Sequence, residues 1–155
     1  ASEIQRMTDI DGTPTVDKGQ LLAVSYSGQL MSADLASGQI TFLQEAASKN
    51  SLAVTNTAVI TTTLDGKVKA FDRQTGEPLW ENEALTYRQL SNPELVGNYI
   101  AVGDLEGVVH LLSPQDGRIV SRTQTKGAIT KLTSEGGYLL TQTKSGQVSV
   151  WRLVR

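Results

Sequence analysis

Short apolar segments, separated by glycine-containing turns, follow one another along the whole chain. Several combine β-branched residues with paired apolar positions, as at Val59-Ile60 and Val108-Val109. This composition is typical of strands that are buried on both faces. The pattern predicts two single helical turns, at 43–49 and 83–88, and a series of strands. The predicted strands span 13–17, 21–27, 29–35, 39–44, 51–55, 58–64, 67–73, 78–82, 94–96, 99–105, 108–113, 118–123, 129–133, 138–143 and 147–153.

The glycines of these turns repeat at a nearly constant spacing. Gly28, Gly66, Gly107 and Gly146 lie 38, 41 and 39 residues apart, and Gly38, Gly76 and Gly117 each follow one of the first three by ten residues. Four-stranded units that repeat about every 40 residues indicate a β-propeller, whose blades stack around a central axis. We therefore predict an all-β fold of four blades, at 12–46, 50–84, 92–125 and 128–155, with 1–11 as a leading strand or interblade loop. The fourth blade has three predicted strands and lacks its outer strand.

One stretch carries the signature of the repeat. Residues 70–80 read A-x-D-x-x-T-G-x-x-x-W, in which Gly76 permits a tight turn and Trp80 supplies a large ring to bury. In the first and third copies the tryptophan position holds Phe42 and Ser121. The unit resembles the tryptophan-docking repeat of the PQQ-type, eight-bladed propellers. That resemblance implies half of an eight-bladed ring, with docking weakest in the third blade.

Composition and charge narrow the classes of function. The net charge is −2, charged residues make up 19% of the chain, and no run of one sign is present. We therefore expect neither nucleic acid nor an anionic membrane surface as a partner. The chain has no Cys, which excludes disulfides, thiolate metal sites and thiol nucleophiles within it. No apolar run reaches the roughly 18 residues of a membrane helix.

Candidate catalytic and metal-binding residues are few. His110 is the single histidine, so it cannot form a multi-histidine metal site, and we predict a partly buried, hydrogen-bonded strand residue. Asp65, Asp104 and Glu106 precede turn glycines, where we expect solvated carboxylates that bond their own turns. A G-x-S-x-G nucleophile motif is absent. We predict a protein that is not an enzyme and that holds no cofactor or metal.

Three segments carry a more specific resemblance. Residues 8–40, 87–120 and 144–155 resemble the C-terminal half of the BamB family, lipoprotein subunits of the outer-membrane β-barrel assembly (BAM) machine of Gram-negative bacteria; the similarity is strongest at Gly28, 36–38 and 102–107. It implies a periplasmic scaffold, tethered to the outer membrane by an N-terminal lipid, that assists the assembly and insertion of β-barrel proteins. The implied partners are the POTRA domains of the barrel-forming subunit and unfolded client proteins. The lipidated Cys and the first blades are missing, so we expect a soluble C-terminal fragment.

Two loops are candidates for contact with a partner. Asp9 and Asp11 match an acidic pair that, in the family, belongs to the surface facing the barrel-forming subunit. Two carboxylates on one loop suit Arg or Lys side chains of a partner. From the residues alone, turn capping by Asp11 is the favoured alternative; with the resemblance, contact is favoured. Tyr87 and Arg88 are further candidates because these residue types are enriched at interface hot spots, and packing between blades is their alternative.

Other interpretations remain open. A ligand-binding or quinoprotein-type enzyme domain is the main alternative, although the axial Trp, the vicinal Cys pair and a calcium cluster of such enzymes have no counterpart in the sequence. A sugar-binding or peptide-binding propeller is the third. The incomplete fourth blade also predicts self-association through open propeller edges, in which a dimer restores eight blades.

Overall fold

The computed structural model describes residues 14–24, 28–46 and 52–153, and its regular structure is entirely β. The strands are β1 Thr15–Asp17, β2 Gln20–Val24, β3 Gln29–Asp34, β4 Gln39–Glu45, β5 Ala53–Val54, β6 Ala58–Thr62, β7 Val68–Asp72, β8 Pro78–Asn82, β9 Glu94–Val96, β10 Tyr99–Gly103, β11 Val108–Leu112, β12 Ile119–Gln124, β13 Ile129–Glu135, β14 Tyr138–Thr143 and β15 Val148–Arg152. No helix in this part of the chain has the length and apolar composition to cross a membrane.

The strands form four antiparallel sheets in chain order. β1 to β4, β5 to β8 and β9 to β12 each make a four-stranded meander, and β13 to β15 make a three-stranded one. The first strands of neighbouring sheets contact each other, as β5 with β9 and β9 with β13, which places them nearest the common axis. The predicted four-bladed arrangement is confirmed, and within the described residues the fourth blade has three strands.

The apolar core lies between neighbouring sheets. Val59 and Phe71 pack against the first sheet, whereas Ile60 and Ala70, their immediate neighbours along the same two strands, pack against the third. Side chains alternate across a strand, so a strand between two other blades must be apolar on both faces. This is why the paired apolar positions predicted buried strands.

Aromatic docking links successive blades. In the turns after β3, β7 and β11, Gly38, Gly76 and Gly117 have φ values of 74°, 78° and 77°. The Phe42 ring lies against Gly76, and the Trp80 ring lies against Gly117 and donates its indole N–H to the Pro114 carbonyl at 2.9 Å. The corresponding position in the third blade is Ser121, which has no aromatic ring, and a cleft of ≈ 310 Å³ lies beside it between the third and fourth sheets. Docking is therefore weakest in the third blade, as predicted.

Neither predicted helical turn forms within the described residues, so both predictions were wrong there. Residues 43–45 belong to strand β4, and 47–49 lie outside the described residues. In 83–88 the chain makes separate turns, with the Thr86 and Arg88 N–H groups donating to the Glu83 and Leu85 carbonyls. Tyr87 has a φ of 65°, and this left-handed conformation prevents the turns from joining into a helix.

Candidate protein-binding site

The loops divide between two faces of the propeller because successive strands alternate in direction. One face carries the turns between second and third strands together with the links from one sheet to the next. We call it the connection face, and its described segments are 63–67, 83–93, 104–107, 125–128 and 144–147. The opposite hairpin face carries the remaining turns, at 18–19, 35–38, 55–57, 73–77, 97–98, 113–118 and 136–137. Tyr87 and Arg88 lie on the connection face.

The connection 83–93 is fastened to both neighbouring blades. Its Tyr87 N–H donates to the Asp65 carbonyl at 3.0 Å, and its Arg88 carbonyl accepts from the Leu105 N–H at 2.8 Å. A Cβ at Gly66 would lie 2.6 Å from the Leu85 carbonyl oxygen, so glycine is needed for this close approach. Leu85 itself is buried. The connection is thus a fixed base for the side chains it presents.

Tyr87 projects from that base into solvent. Its side chain is 84% exposed, and its left-handed backbone is held by the hydrogen bond to the second blade. A non-glycine residue in this conformation costs about 1 to 3 kcal/mol, and such residues cluster at functional sites. The structure does not place Tyr87 in packing between blades, and its partner-binding role stays a prediction.

The Arg88 side chain is paired with carboxylates of the protein and is 33% exposed. Its Nε donates to Asp104 Oδ2 at 2.6 Å, and its Nη2 donates to Glu106 Oε2 at 3.3 Å. The hydrogen bond to Asp104 raises the pKa of Arg88. Asp104 and Glu106 therefore balance the guanidinium charge, and the contact we observe holds the connection against the β10–β11 turn. A further contact between Arg88 and a partner stays a prediction.

Asp104 was expected to be a solvated turn residue, and that prediction was wrong. The residue is completely buried. Its Oδ1 accepts from the N–H groups of Glu106 and Val108, which is the expected turn bonding, while its Oδ2 accepts from Arg88 and from His110 Nε2 at 2.8 Å. Burial alone would raise the pKa of Asp104, and the hydrogen bonds from His110 and Arg88 outweigh burial and lower it. Glu106 and Asp65 are exposed as expected.

His110 lies in strand β11 and is hydrogen-bonded, as predicted, but it is fully rather than partly buried. Its Nδ1 accepts from Arg122 Nε at 3.1 Å, so its proton resides on Nε2 and is donated to Asp104. Burial is the main cause of the lowered pKa of His110, which keeps the imidazole neutral. Both ring nitrogens are occupied by protein partners. The described part of the chain also has no group of three or more His, Asp or Glu side chains placed to hold a metal ion.

Sequence reasoning missed this network although a signal was present. Val102 pairs with His110 across the β10–β11 hairpin, and Asp104 lies two residues beyond Val102. Residues two apart on a strand face the same side, so the two side chains share one side of the hairpin. Arg88 comes from a connection whose path the sequence did not reveal.

Asp9 and Asp11 lie outside the described residues. Along the sequence they precede the first sheet, much as connection 83–93 precedes the third. Their contact with a partner stays a prediction.

Comparison with known proteins decides the family. Residues 1–82 match the family model described as "Outer membrane protein assembly factor BamB". The chain belongs to the BamB family. BamB of Salmonella typhimurium is 36% identical to it over 149 residues, which are 95% of this chain and 38% of that protein. The chain thus spans about two fifths of this BamB relative.

Solved structures agree with the fold. The crystal structure of BamB from Moraxella catarrhalis matches with a TM-score of 0.91 and 50% identity, over 97% of this chain and 45% of that one. The computationally designed Ika4 protein matches with a TM-score of 0.82 at 17% identity, over 94% of this chain and 91% of that one. The designed protein shares the propeller fold, and the Moraxella structure shares both the fold and the family.

Proposed function

We propose that this chain is part of a non-enzymatic, protein-binding scaffold that acts in the assembly of outer-membrane proteins. Its membership of the BamB family carries the proposal, because the matching relatives are named as assembly factors for these proteins. The proposal places the whole protein at the periplasmic side of the outer membrane, held there by an N-terminal lipid.

The architecture supports binding rather than chemistry. Loops fastened to packed strands present side chains in fixed positions, so affinity arises from area and complementarity without a reacting group. The connection 83–93 fits this description, since hydrogen bonds anchor it to the turns on both sides. His110, a residue type common in catalysis, is buried and engaged on both ring nitrogens.

We assign the periplasmic POTRA domains of the barrel-forming subunit as the partner, and the loop of Asp9 and Asp11 as the first contact. Two carboxylates on one loop can each accept charge-assisted hydrogen bonds from Arg or Lys. Such contacts orient the partner and accelerate its association. Tyr87 is a second contact, because its ring is exposed on a fixed base. Unfolded client proteins are a further class of ligand in this proposal.

Co-purification from outer-membrane extracts tests the assignment. Full-length protein with Asp9→Ala and Asp11→Ala is expected to recover at least tenfold less barrel-forming subunit than the unsubstituted protein. The matched control carries Glu77→Ala and Asp116→Ala, which remove two exposed carboxylates from the hairpin face and change the net charge equally.

The control is expected to recover the subunit normally. Equal recovery by the folded Asp9/Asp11 variant would refute the role of the acidic pair. Failure of the unsubstituted protein to recover the subunit would refute the assignment of the partner.

A further inference from the structure

Three exposed apolar residues lie on neighbouring segments of the connection face. Leu64, Tyr87 and Leu105 are 44%, 84% and 47% exposed. Among the described residues, the other large apolar side chains with comparable exposure lie in strands or on the hairpin face. Scattered apolar residues are normal on a surface, whereas a contiguous group marks an interaction site.

The backbone fixes the three residues as neighbours. Tyr87 donates its N–H to Asp65, the residue after Leu64, and Leu105 donates its own N–H to Arg88, the residue after Tyr87. Leu64 and Leu105 occupy corresponding positions in the turns of the second and third blades, at L-D-G and L-E-G. The triad of Leu64, Tyr87 and Leu105 therefore crosses the junction of two blades on a pre-organised base, which reduces the entropy lost on binding.

The surroundings of the triad are acidic. The side chains of Asp65, Glu83 and Glu106 are 52%, 62% and 71% exposed. The two cations beside them already have partners: Lys67 lies 3.8 Å from Asp65 and 3.6 Å from Glu83, and Arg88 pairs with Asp104 and Glu106. A third cation, Lys69, also acts on Asp65 and pairs with Glu81 at 3.5 Å. With Glu81 and buried Asp104 included, five carboxylates face three cations. Lys126, the next cation on this face, belongs to the connection between the third and fourth sheets.

From these observations we propose a second docking surface, centred on the triad, for a protein segment that presents apolar side chains flanked by Lys or Arg. The apolar centre supplies the contact area, and the acidic rim selects a basic partner and rejects an acidic one. This inference goes beyond the proposed function, which names Tyr87 alone on this face: it adds Leu64, Leu105 and an acidic rim, defines the chemistry of the segment that binds there, and requires no particular named partner.

Peptide probes test the chemistry directly. Full-length protein is titrated against three fluorescein-labelled nine-residue peptides: alternating Leu and Lys, alternating Leu and Glu, and alternating Ser and Lys. Fluorescence anisotropy is expected to show at least tenfold tighter binding of the Leu–Lys peptide than of either other peptide. Raising the salt concentration is expected to weaken that binding, because exposed charges are screened.

Substitutions locate the site. The triple variant Leu64→Ser, Tyr87→Ser, Leu105→Ser is expected to bind the Leu–Lys peptide at least tenfold more weakly. Tyr87→Ser alone, at the most exposed of the three positions, keeps the test valid if the triple variant folds poorly. The matched control, Leu35→Ser with Leu79→Ser, removes apolar side chains of similar exposure away from the triad and is expected to change affinity less than twofold.

Three results would overturn the inference: no binding of the Leu–Lys peptide, equally tight binding of the Leu–Glu peptide, or unchanged affinity for the Leu–Lys peptide in both variants that replace Tyr87. The proposed function is judged separately by recovery of the barrel-forming subunit. A protein that recovers the subunit without binding the peptide refutes the docking surface alone, and one that binds the peptide at the triad without recovering the subunit refutes the partner assignment alone.

Discussion

Alanine substitutions, made one at a time at the three turn glycines, distinguish the stability cost of backbone strain from the cost of displacing a docked aromatic ring. Gly38, Gly76 and Gly117 have nearly the same φ, so Ala in any of them costs about 1 to 2 kcal/mol of left-handed strain. The three differ in what the new Cβ meets. At Gly38 it meets nothing within 4 Å, at Gly76 it lies 2.5 Å from the Phe42 ring, and at Gly117 it overlaps the Trp80 ring.

The magnitude follows from these contacts. Overpacking a well-filled site costs about 1 to 3 kcal/mol, and this cost adds to the backbone strain only where an aromatic ring is docked. We therefore expect Gly38→Ala to lower the free energy of unfolding by about 1 kcal/mol, and Gly117→Ala to lower it by about 3 kcal/mol. Equilibrium urea unfolding measures both, with Gly38→Ala as the matched control.

A double-mutant cycle sharpens the test. In a Trp80→Ala background the ring is gone, so Gly117→Ala is expected to cost no more than Gly38→Ala does in the unsubstituted protein. Equal costs for Gly38→Ala and Gly117→Ala in the unsubstituted protein would refute the docking account. An undiminished cost of Gly117→Ala without Trp80 would refute it as well.

Three other predictions concern the buried network and the open edge. Asp104→Ala is expected to cost about 3 kcal/mol in urea unfolding, because it leaves buried His110 and partly exposed Arg88 without their shared acceptor. Asp104→Thr supplies a turn-capping hydroxyl like those of Thr63 and Thr143 and is expected to cost about 1 kcal/mol less; equal costs would contradict this. Burial lowers the folded pKa of His110 below the unfolded value of about 6.5, so the unfolded state takes up the proton first and stability falls as the pH drops below about 6.5. The lowered pKa of Asp104 adds a further loss below its unfolded value of about 3.9. Unfolding measured from pH 8 to 5 is expected to show a shallower decline in His110→Gln, and an identical decline would contradict the assignment. The third strands of the first three sheets, β3, β7 and β11, each pair with two strands, whereas β15 pairs with β14 alone among the described strands. The 155-residue chain is therefore expected to self-associate through its open edges in sedimentation velocity, and a monomer across the micromolar range would argue against it.

Most of the fold was predictable because local chemistry repeats. Turn glycines with positive φ recur in corresponding hairpins of successive sheets, at Gly66, Gly107 and Gly146 for example, so their spacing revealed four repeated units. Strand ends were less predictable: β6 ends at Thr62 rather than at residue 64, because the Thr63 hydroxyl accepts the Lys67 N–H and begins the turn there. The apolar side chain of Leu64 led the sequence pattern to extend the strand to residue 64, yet Leu64 lies in that turn and is partly exposed.

The candidate site depended on contacts that no local pattern encodes. In the sequence, Asp104 and Glu106 both look like solvent-exposed acidic residues of a turn. The path of connection 83–93 brings Arg88 over Asp104, which is buried, whereas Glu106 is exposed. Tyr87 was recognised as a surface candidate from its residue type. Its position between Leu64 and Leu105 follows from hydrogen bonds between blades, which join residues far apart in the sequence.

Binding of the barrel-forming subunit is the most direct test of the account. Isothermal titration of its purified POTRA domains into the full-length protein is expected to give a saturable isotherm that the Glu77/Asp116 control variant reproduces. Asp9→Ala with Asp11→Ala is expected to weaken that affinity at least tenfold while thermal unfolding remains unchanged. If the unsubstituted protein shows no measurable binding, the proposed scaffold function is contradicted. If the folded Asp9/Asp11 variant binds with equal affinity, the proposed contact loop is contradicted.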